Sequence, residues 1–220
     1  MPNLTKVIYL LRPTFLYRVC GGLLETLALR QWQRGKNPPA PGRIKVEMIR
    51  ALAERYQLRT LVETGTFFGD TVAALTGAFG RIFTIELAPK LCALARDRFR
   101  QHPNVQVIEG DSGVELPRLL PTLSEPCLFW LDGHFSGGVT ARGEIDTPVL
   151  AELSSLLRNR SQADVILIDD ARLFGVDPGY PAIEAVRALV SATRPGWGFE
   201  VSDDVVRIAP PPVDRAKSAE

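Results

Sequence analysis

Three carboxylates follow two apolar segments of the sequence. Asp132 closes the segment CLFWLDGH, and Asp169 and Asp170 close DVILIDDA. Ligands of an open parallel sheet bind beyond the carboxyl ends of its strands, so these acids are expected to face one crevice. Neighbouring carboxylates must share a proton or be neutralised, and a divalent cation with oxygen ligands neutralises them most simply. The pattern predicts a metal site, although an Asp-Asp pair after a strand is equally typical of a cap or turn.

His134 follows Asp132 by two residues, and its ring nitrogen suits proton transfer at the rim of such a site. A loop histidine that is hydrogen-bonded to the backbone is an interpretation of equal weight. The connection from Gly133 to Pro148 is long and rich in glycine, which favours a substrate or lid loop over a simple turn.

A second group of residues with binding chemistry follows the first apolar strand. The segment VETGTFFG places Glu63 before a turn that contains Gly65, Thr66 and Gly69 and leads into a helix. Glycine lets the backbone approach a ligand closely, and a helix start offers unpaired N–H groups. This signal is weak by itself, because such turns occur in many nucleotide-binding folds.

Acids also follow the next two predicted strands. Glu86 lies about 20 residues after the glycine turn, where an acid in this architecture receives ribose hydroxyls. Asp111, next to Ser112 in the segment EGDS, is placed to accept a hydrogen bond from an exocyclic amine. Each acid alone is explained equally well as a solvated strand end, whereas their joint occurrence with Glu63 and Gly65 favours a cofactor crevice.

Helical and strand-like segments alternate from Arg43 onward. The strand candidates are residues 60–65, 81–87, 105–110, 127–133 and 164–170, and the helical stretches lie around residues 70–78, 89–101, 113–123, 148–160 and 181–194. Five strands joined by helices predict an α/β fold with a doubly wound, mostly parallel sheet. Two strand-like runs around Asp203 and Asp204 leave no room for a crossover helix, which predicts an antiparallel C-terminal hairpin strand at the sheet edge.

Composition narrows the function classes. A chain of 220 residues with 45% hydrophobic content fits one domain with a full core. Its 26 Lys and Arg residues balance 25 Asp and Glu residues, which argues against a nucleic-acid partner. Cys20, Cys92 and Cys127 form no C-x-x-C pair, so neither a disulfide framework nor a zinc site is indicated. We expect a cytoplasmic protein, because the sequence shows no signal peptide and no apolar run near the ~20 residues of a spanning helix.

The N-terminal segment differs from the rest of the chain. Seven basic residues and one acid lie between Met1 and Arg43, with apolar residues among them. This pattern fits an interfacial helix on a membrane surface, or, as the favoured interpretation, a helical arm that packs on the domain, covers the substrate site or builds a homo-oligomer. The segment NPPAPG ends the helix. The predicted organisation is an arm and linker over residues 1–42, one domain over 43–210 and a flexible tail over 211–220.

Over roughly residues 44–210, the sequence resembles the class I S-adenosylmethionine-dependent methyltransferases, through the motifs VETGTFFG, FTIEL, VIEGDS, LFWLDGH and ILIDDA in this order, followed by the hairpin. The resemblance implies a Rossmann-like methyltransferase fold and S-adenosyl-L-methionine as cofactor. Glu63 favours this cofactor over one that bears a diphosphate, because an acid suits an ammonium group and repels a diphosphate. The cofactor-binding residues that follow are Glu63, Gly65, Thr66, Gly69, Glu86, Asp111, Ser112 and Asp132.

Within that family, the three strand-end aspartates are similar to the metal site of the magnesium-dependent sugar O-methyltransferases of the macrocin and novobiocin type. The resemblance implies that Asp132, Asp169 and Asp170 hold Mg²⁺ or a similar divalent cation, which binds adjacent hydroxyls of the acceptor. A nearby base then takes the proton. The predicted function is metal-assisted O-methylation of a hydroxylated small molecule such as a sugar, with His134 and Asp132 as catalytic residues.

Three other functions remain open from the sequence. A nicotinamide-dependent oxidoreductase shares the sheet and Glu86 but has no need of the aspartate cluster. A metal-dependent hydrolase uses carboxylates without a cofactor, so Glu63 and Glu86 would be dispensable. A non-catalytic partner protein would lack affinity for metal and cofactor alike. Titration with S-adenosylhomocysteine and with NAD separates the first of these from a methyltransferase.

Overall fold

The computed structural model of the chain describes residues 15–35, 39–133 and 148–211. Its helices are α1 (Phe15–Gly35), α2 (Gly42–Tyr56), α3 (Asp70–Leu75), α4 (Pro89–Phe99), α5 (Ser112–Leu119), α6 (Val149–Asn159) and α7 (Ile183–Thr193). Its strands are β1 (Thr60–Thr64), β2 (Arg81–Glu86), β3 (Val105–Glu109), β4 (Cys127–Leu131), β5 (Val165–Ile168), β6 (Gly198–Ser202) and β7 (Val205–Ala209). Short 3₁₀ turns cover Leu120–Thr122 and Ala171–Leu173.

All seven strands form one sheet in the order β3-β2-β1-β4-β5-β7-β6. The strands from β1 to β5 are parallel, and β7 runs antiparallel to both β5 and β6. The predicted α/β fold with an antiparallel C-terminal hairpin strand is thereby confirmed. The antiparallel strand does not lie at the edge, however, because β7 inserts between β5 and β6 and leaves β6 as the edge strand.

Each face of the sheet carries its own layer of helices and its own apolar core. On β4, Leu128 and Trp130 point into the core beneath α2, α3 and α4, whereas Phe129 and Leu131 point into the core beneath α5, α6 and α7. Strands β1, β4 and β5 are buried along their whole length. This explains why their sequences are nearly continuous apolar runs, as is usual for parallel strands covered on both faces.

Helix α2 positions a lysine above the sheet. Its buried residues Ile49 and Ala53 pack into the first of these cores. The helix ends at Gln57, which adopts a left-handed conformation and donates its backbone N–H to the last turn. Lys45 lies one turn before Ile49, so its side chain projects on the same side toward the carboxyl ends of β4 and β5.

Helix α1 confirms that the N-terminal segment contains a helix. Ala28 and Trp32, one turn apart, are buried, whereas Leu23 is 65% exposed. The helix contacts α2. Among the described residues, no helix combines the length and the hydrophobicity that crossing a bilayer requires. The roles predicted for the arm in membrane contact or assembly stay predictions.

Candidate functional site

The carboxyl ends of β1 and β4 lie side by side at the point where the strand order reverses. Thr64, the last residue of β1, is the register partner of Leu131, the last residue of β4. The backbone N–H of Asp132 continues this pairing and donates to the Thr64 carbonyl at 3.1 Å. Open α/β sheets bind their ligands at such a switch point. Asp132 therefore stands where the sequence placed it, at the entrance to the crevice.

Gly65 and Gly69 are glycines for reasons of packing as well as conformation. Gly65 has a φ of +83°, and a Cβ there would lie 2.4 Å from the Asp132 carbonyl oxygen. Gly69 has a φ of +74°, and a Cβ would lie 2.7 Å from the Phe99 ring. Gly65 thus lets the turn after β1 approach the backbone after β4, and the close approach to a ligand that its position suggested stays a prediction.

Glu63 is buried at the end of β1, on the sheet face covered by α2, α3 and α4. Its carboxylate accepts a hydrogen bond of 2.5 Å from the Thr84 hydroxyl, which also lies 2.6 Å from the Thr66 hydroxyl. Burial raises the pKa of Glu63 well above its ordinary value, and the Thr84 hydrogen bond opposes this shift. Thr66 thus contributes to a hydrogen-bonded chain that orders the glycine turn.

Glu86 fixes the turn after β1 from the neighbouring strand. One of its carboxylate oxygens accepts from the Phe67 backbone N–H at 2.7 Å, and the other accepts from the Ala88 backbone N–H at 2.9 Å. Burial raises the pKa of Glu86, while these backbone donors lower it. A carboxylate has about four lone-pair positions, so Glu86 keeps some capacity for a further donor beside its backbone partners.

Asp111 begins helix α5 as its N-cap residue. Its side chain accepts from the Gly113 backbone N–H at 2.8 Å, a capping bond that satisfies one of the free donors of the first turn. Ser112, the first residue of the helix, is buried. Both residues therefore lie at the carboxyl end of β3, in line with Glu63 and Glu86 at the ends of β1 and β2.

The carboxylates after β5 meet a third acid that the sequence did not single out. Asp169, Asp170 and Asp204 each place an oxygen within 4.8 Å of the other two, and Asp132 is outside this group. Asp204 belongs to the turn between β6 and β7 and accepts from the Arg172 backbone N–H at 2.9 Å. Its own carbonyl accepts from the Ala171 backbone N–H at 2.8 Å. The C-terminal hairpin therefore completes the cluster.

Two basic side chains already pair with the acids of this cluster. Lys45 forms an ion pair with Asp169, and Arg172 forms ion pairs with both Asp170 and Asp204. The second oxygen of Asp169 accepts from the Asp170 backbone N–H at 2.7 Å. The pKa of Lys45 is raised, because the attraction of Asp169, Asp132 and Asp170 outweighs burial. Carboxylates suit a hard cation by donor type, but in this arrangement Mg²⁺ would have to displace Lys45, so the residues as placed do not fit the metal.

A cleft with an open volume of about 200 Å³ lies between the ends of β4 and β5 and helix α6. Its polar lining comprises Asp132, Glu152, Asp169 and Tyr180. Its apolar lining consists of Leu131, Val149 and Ile168. The lining combines an apolar wall with a few polar groups, the composition that is typical of small-molecule sites.

Glu152, Lys45 and Tyr180 are site residues that the sequence analysis did not identify. For Glu152 a signal existed, since it lies three residues after Val149 and four before Leu156, on the buried stripe of an amphipathic helix. An acid on such a stripe is unusual. Lys45 and Tyr180 reach the cleft through contacts distant in sequence, which local patterns do not encode. His134 and the predicted lid loop lie outside the described residues.

Solved structures with the same arrangement of strands and helices contain bound methyl donors or their products. An O-methyltransferase from Bacillus cereus with S-adenosylhomocysteine has a TM-score of 0.56 and 15% identity, covering 93% of this chain and 97% of that one. The O-methyltransferase TomG from Streptomyces achromogenes with S-adenosylmethionine has a TM-score of 0.52 and 19% identity, covering 84% and 89%. Podospora anserina methyltransferase PaMTH1 with S-adenosylhomocysteine has a TM-score of 0.52 and 17% identity, covering 84% and 87%.

This chain has the class I methyltransferase fold. The likeness extends over most of each chain and includes the Rossmann-like sheet with the antiparallel strand near its C-terminus. No protein-family model matches the sequence, and no curated protein matches it. The methyltransferase fold therefore rests on the structure, and the identity of the reaction has to be argued from the residues of the site.

Proposed function

We propose that the protein is an S-adenosylmethionine-dependent methyltransferase that methylates a hydroxyl group of a small molecule. The observation that carries the proposal is the pair of acids at the ends of β2 and β3 within the methyltransferase fold, Glu86 and Asp111, beside the glycine turn after β1. Similar structures hold S-adenosylmethionine or S-adenosylhomocysteine. In this chain, the carboxylate of Glu86 at the end of β2 is placed to accept from a ribose hydroxyl.

The chain's own residues supply alignment and a proton acceptor. The acceptor hydroxyl oxygen attacks the methyl carbon in line with the carbon–sulfur bond, which breaks and leaves its electron pair on sulfur. The products are the methyl ether and S-adenosylhomocysteine. We assign the released proton to the carboxylate of Asp132, which lines the cleft. Holding the two reactants in a near-attack geometry supplies much of the rate, because the sulfonium is already activated.

Lys45 is a fixed positive charge beside this reaction centre. Because it stays protonated next to Asp169, it is unsuited to act as the base. It lowers the electrostatic cost of burying several carboxylates near the acceptor. Assistance by Mg²⁺, which the family resemblance implies, does not enter the proposed mechanism, since Lys45 takes the position on Asp169 that a cation would need.

The cleft also supports a choice of acceptor class. Its apolar wall and its ring of acids favour a small molecule that carries hydroxyl or other donor groups over an anionic one. We propose a hydroxylated acceptor such as a sugar or polyol on these grounds.

Calorimetric titration with S-adenosylhomocysteine and with NAD⁺ tests the cofactor directly. We expect saturable binding of S-adenosylhomocysteine and none of NAD⁺. Transfer of label from methyl-labelled S-adenosylmethionine into a panel of sugars, polyols and catechols then tests the reaction. Binding of NAD⁺ in place of S-adenosylhomocysteine would favour the oxidoreductase, and hydrolysis without a cofactor would favour the hydrolase.

A further inference from the structure

Two buried polar groups face each other at the switch point without hydrogen-bond partners. Glu152 is only 1% exposed, and within the described part of the chain neither of its carboxylate oxygens has a hydrogen-bond partner. The same holds for the hydroxyl oxygen of Thr64, which is fully buried at the end of β1. Buried polar groups are paired in the great majority of cases, so a buried carboxyl group with no donor in hydrogen-bonding geometry on either oxygen indicates a missing donor.

Gly133 lies next to both of these groups. A Cβ on Gly133 would lie 3.2 Å from the Thr64 hydroxyl oxygen and 3.4 Å from one oxygen of Glu152. A side chain at Gly133 would therefore crowd the oxygens of both residues. Glu152 also lines the cleft, so its carboxyl group faces the space where a bound molecule would enter.

The electrostatic surroundings favour a cationic donor for this position. Burial, together with the charges of Asp111 and Asp132, raises the pKa of Glu152 to about 7, and the nearby hydroxyls of Ser112 and Thr64 oppose this shift. A buried carboxylate without a counter-charge is costly, and a bound cation removes that cost. Three acceptor oxygens also match the three N–H donors of a primary ammonium group.

We propose that Glu152 and Thr64 form the seat for the α-ammonium group of the bound cofactor. This inference rests on the proposed function, because the ammonium group belongs to S-adenosylmethionine and its product. The position fits, since Thr64 ends β1 and Gly133 lies two residues after the end of β4, on either side of the switch point. Glu63, which the sequence favoured for this contact, already accepts from Thr84 and lies on the opposite face of the sheet.

The sulfonium is the other positive centre of S-adenosylmethionine, and it carries no N–H donor. S-Adenosylhomocysteine has the ammonium group but a neutral sulfur. Its desamino analogue keeps every other group and lacks only the ammonium. Comparing these three ligands therefore separates the two charges of the cofactor.

The test is calorimetric titration of the wild type and three variants with these ligands. Glu152→Gln removes the charge at nearly constant shape, and Thr64→Val removes the hydroxyl at constant volume. Glu184→Gln, at an exposed position on α7, is the matched control for loss of one carboxylate. We expect Glu152→Gln to weaken S-adenosylhomocysteine at least tenfold and Thr64→Val to weaken it several-fold. The desamino analogue should bind all four proteins within about twofold, since an effect of less than 0.4 kcal/mol is expected.

Each other outcome has a defined meaning. Equal losses for S-adenosylhomocysteine and its desamino analogue would make Glu152 a structural residue and overturn the inference. Unchanged affinity, or a loss confined to S-adenosylmethionine, would overturn it as well. If the wild type bound none of the three ligands, the proposed function itself would fail. Circular dichroism and thermal unfolding of each variant show that the binding comparison concerns folded protein.

Discussion

Lys45 on α2 forms an ion pair with Asp169 at the end of β5, although 124 residues separate them in the sequence. The pair connects the helix that precedes the first strand to the acidic cluster of the site. Both side chains are largely buried, so neither charge is well solvated. Acids collect at the carboxyl ends of the strands in this methyltransferase fold. The positive charge of Lys45 reduces the negative charge that the cleft presents to a ligand.

Removal of Lys45 should destabilise the protein through the charge left behind. We expect Lys45→Met to lower the free energy of unfolding by about 3 kcal/mol at pH 8, because a buried pair that loses one partner leaves an uncompensated charge. Urea denaturation measures this. Adding Asp169→Asn should recover much of the loss, and a double variant as unstable as the sum of the two single variants would show that the pair is not coupled.

Divalent cations should not stabilise the wild type. Since Lys45 and Arg172 already form ion pairs with Asp169, Asp170 and Asp204, we expect the same melting temperature in EDTA and in millimolar MgCl₂. Lys45→Met should acquire a melting temperature that rises with Mg²⁺, because the acids then lack one of their counter-charges. A wild-type melting temperature that falls in EDTA and recovers with Mg²⁺ would restore the metal site predicted from Asp132, Asp169 and Asp170.

The buried carboxyl of Glu152 should make stability depend on pH. Its pKa is about 7 in the folded protein and 4.5 ordinarily, so between these values the folded state binds more protons than the unfolded state. The contribution of Glu152 to the free energy of unfolding is therefore fully present below about pH 4.5, and it is lost as the pH rises through 7. We expect Glu152→Gln to match the wild type near pH 4 and to exceed it by about 3 kcal/mol above pH 8. A constant difference across this range would contradict the assignment.

Gly65 should tolerate no side chain. An added Cβ would meet the Asp132 carbonyl, and the positive φ is itself strained for alanine. We expect Gly65→Ala to cost about 3 kcal/mol in thermal or urea unfolding. Gly77→Ala is the matched control, because nothing lies within 4 Å of a Cβ at that position and its φ is not in the left-handed range. Equal stability of the two variants would remove the proposed contact between the ends of β1 and β4.

Glu86 should contribute to cofactor affinity through the ribose. We expect Glu86→Ala to weaken S-adenosylhomocysteine by roughly 1.5–3 kcal/mol in calorimetry, the loss of charge-assisted hydrogen bonds. Glu109→Ala is a suitable comparison, since Glu109 is the register partner of Glu86 but is exposed and paired with Arg96. Affinity that falls equally in both variants would indicate a general electrostatic effect.

The sequence predicted the strands and helices well because both have local signals. Buried parallel strands read as apolar runs, and the hairpin around Asp203 and Asp204 left too few residues for a helix. The insertion of β7 beside β5 has no such signal, since it depends on which edge the hairpin joins. The ion pair between Lys45 and Asp169 also could not be predicted, because it joins two segments that are far apart in the sequence. Glu152 was visible in principle, as an acid on an apolar helical stripe.

The acidic cluster of the site can form only after the ribosome has synthesised the hairpin between β6 and β7. Asp204 lies in that hairpin, and it supplies both a carboxylate to the acidic cluster and a carbonyl to Ala171. A nascent chain that stops before Val205 has all five parallel strands and lacks the strand that covers β5. Domains fold vectorially as they leave the ribosome, so the crevice after β5 stays incomplete until almost the whole described chain has been made. A nascent chain without the hairpin therefore lacks the complete acidic cluster beside the cleft, even if strands β1 to β5 have already folded.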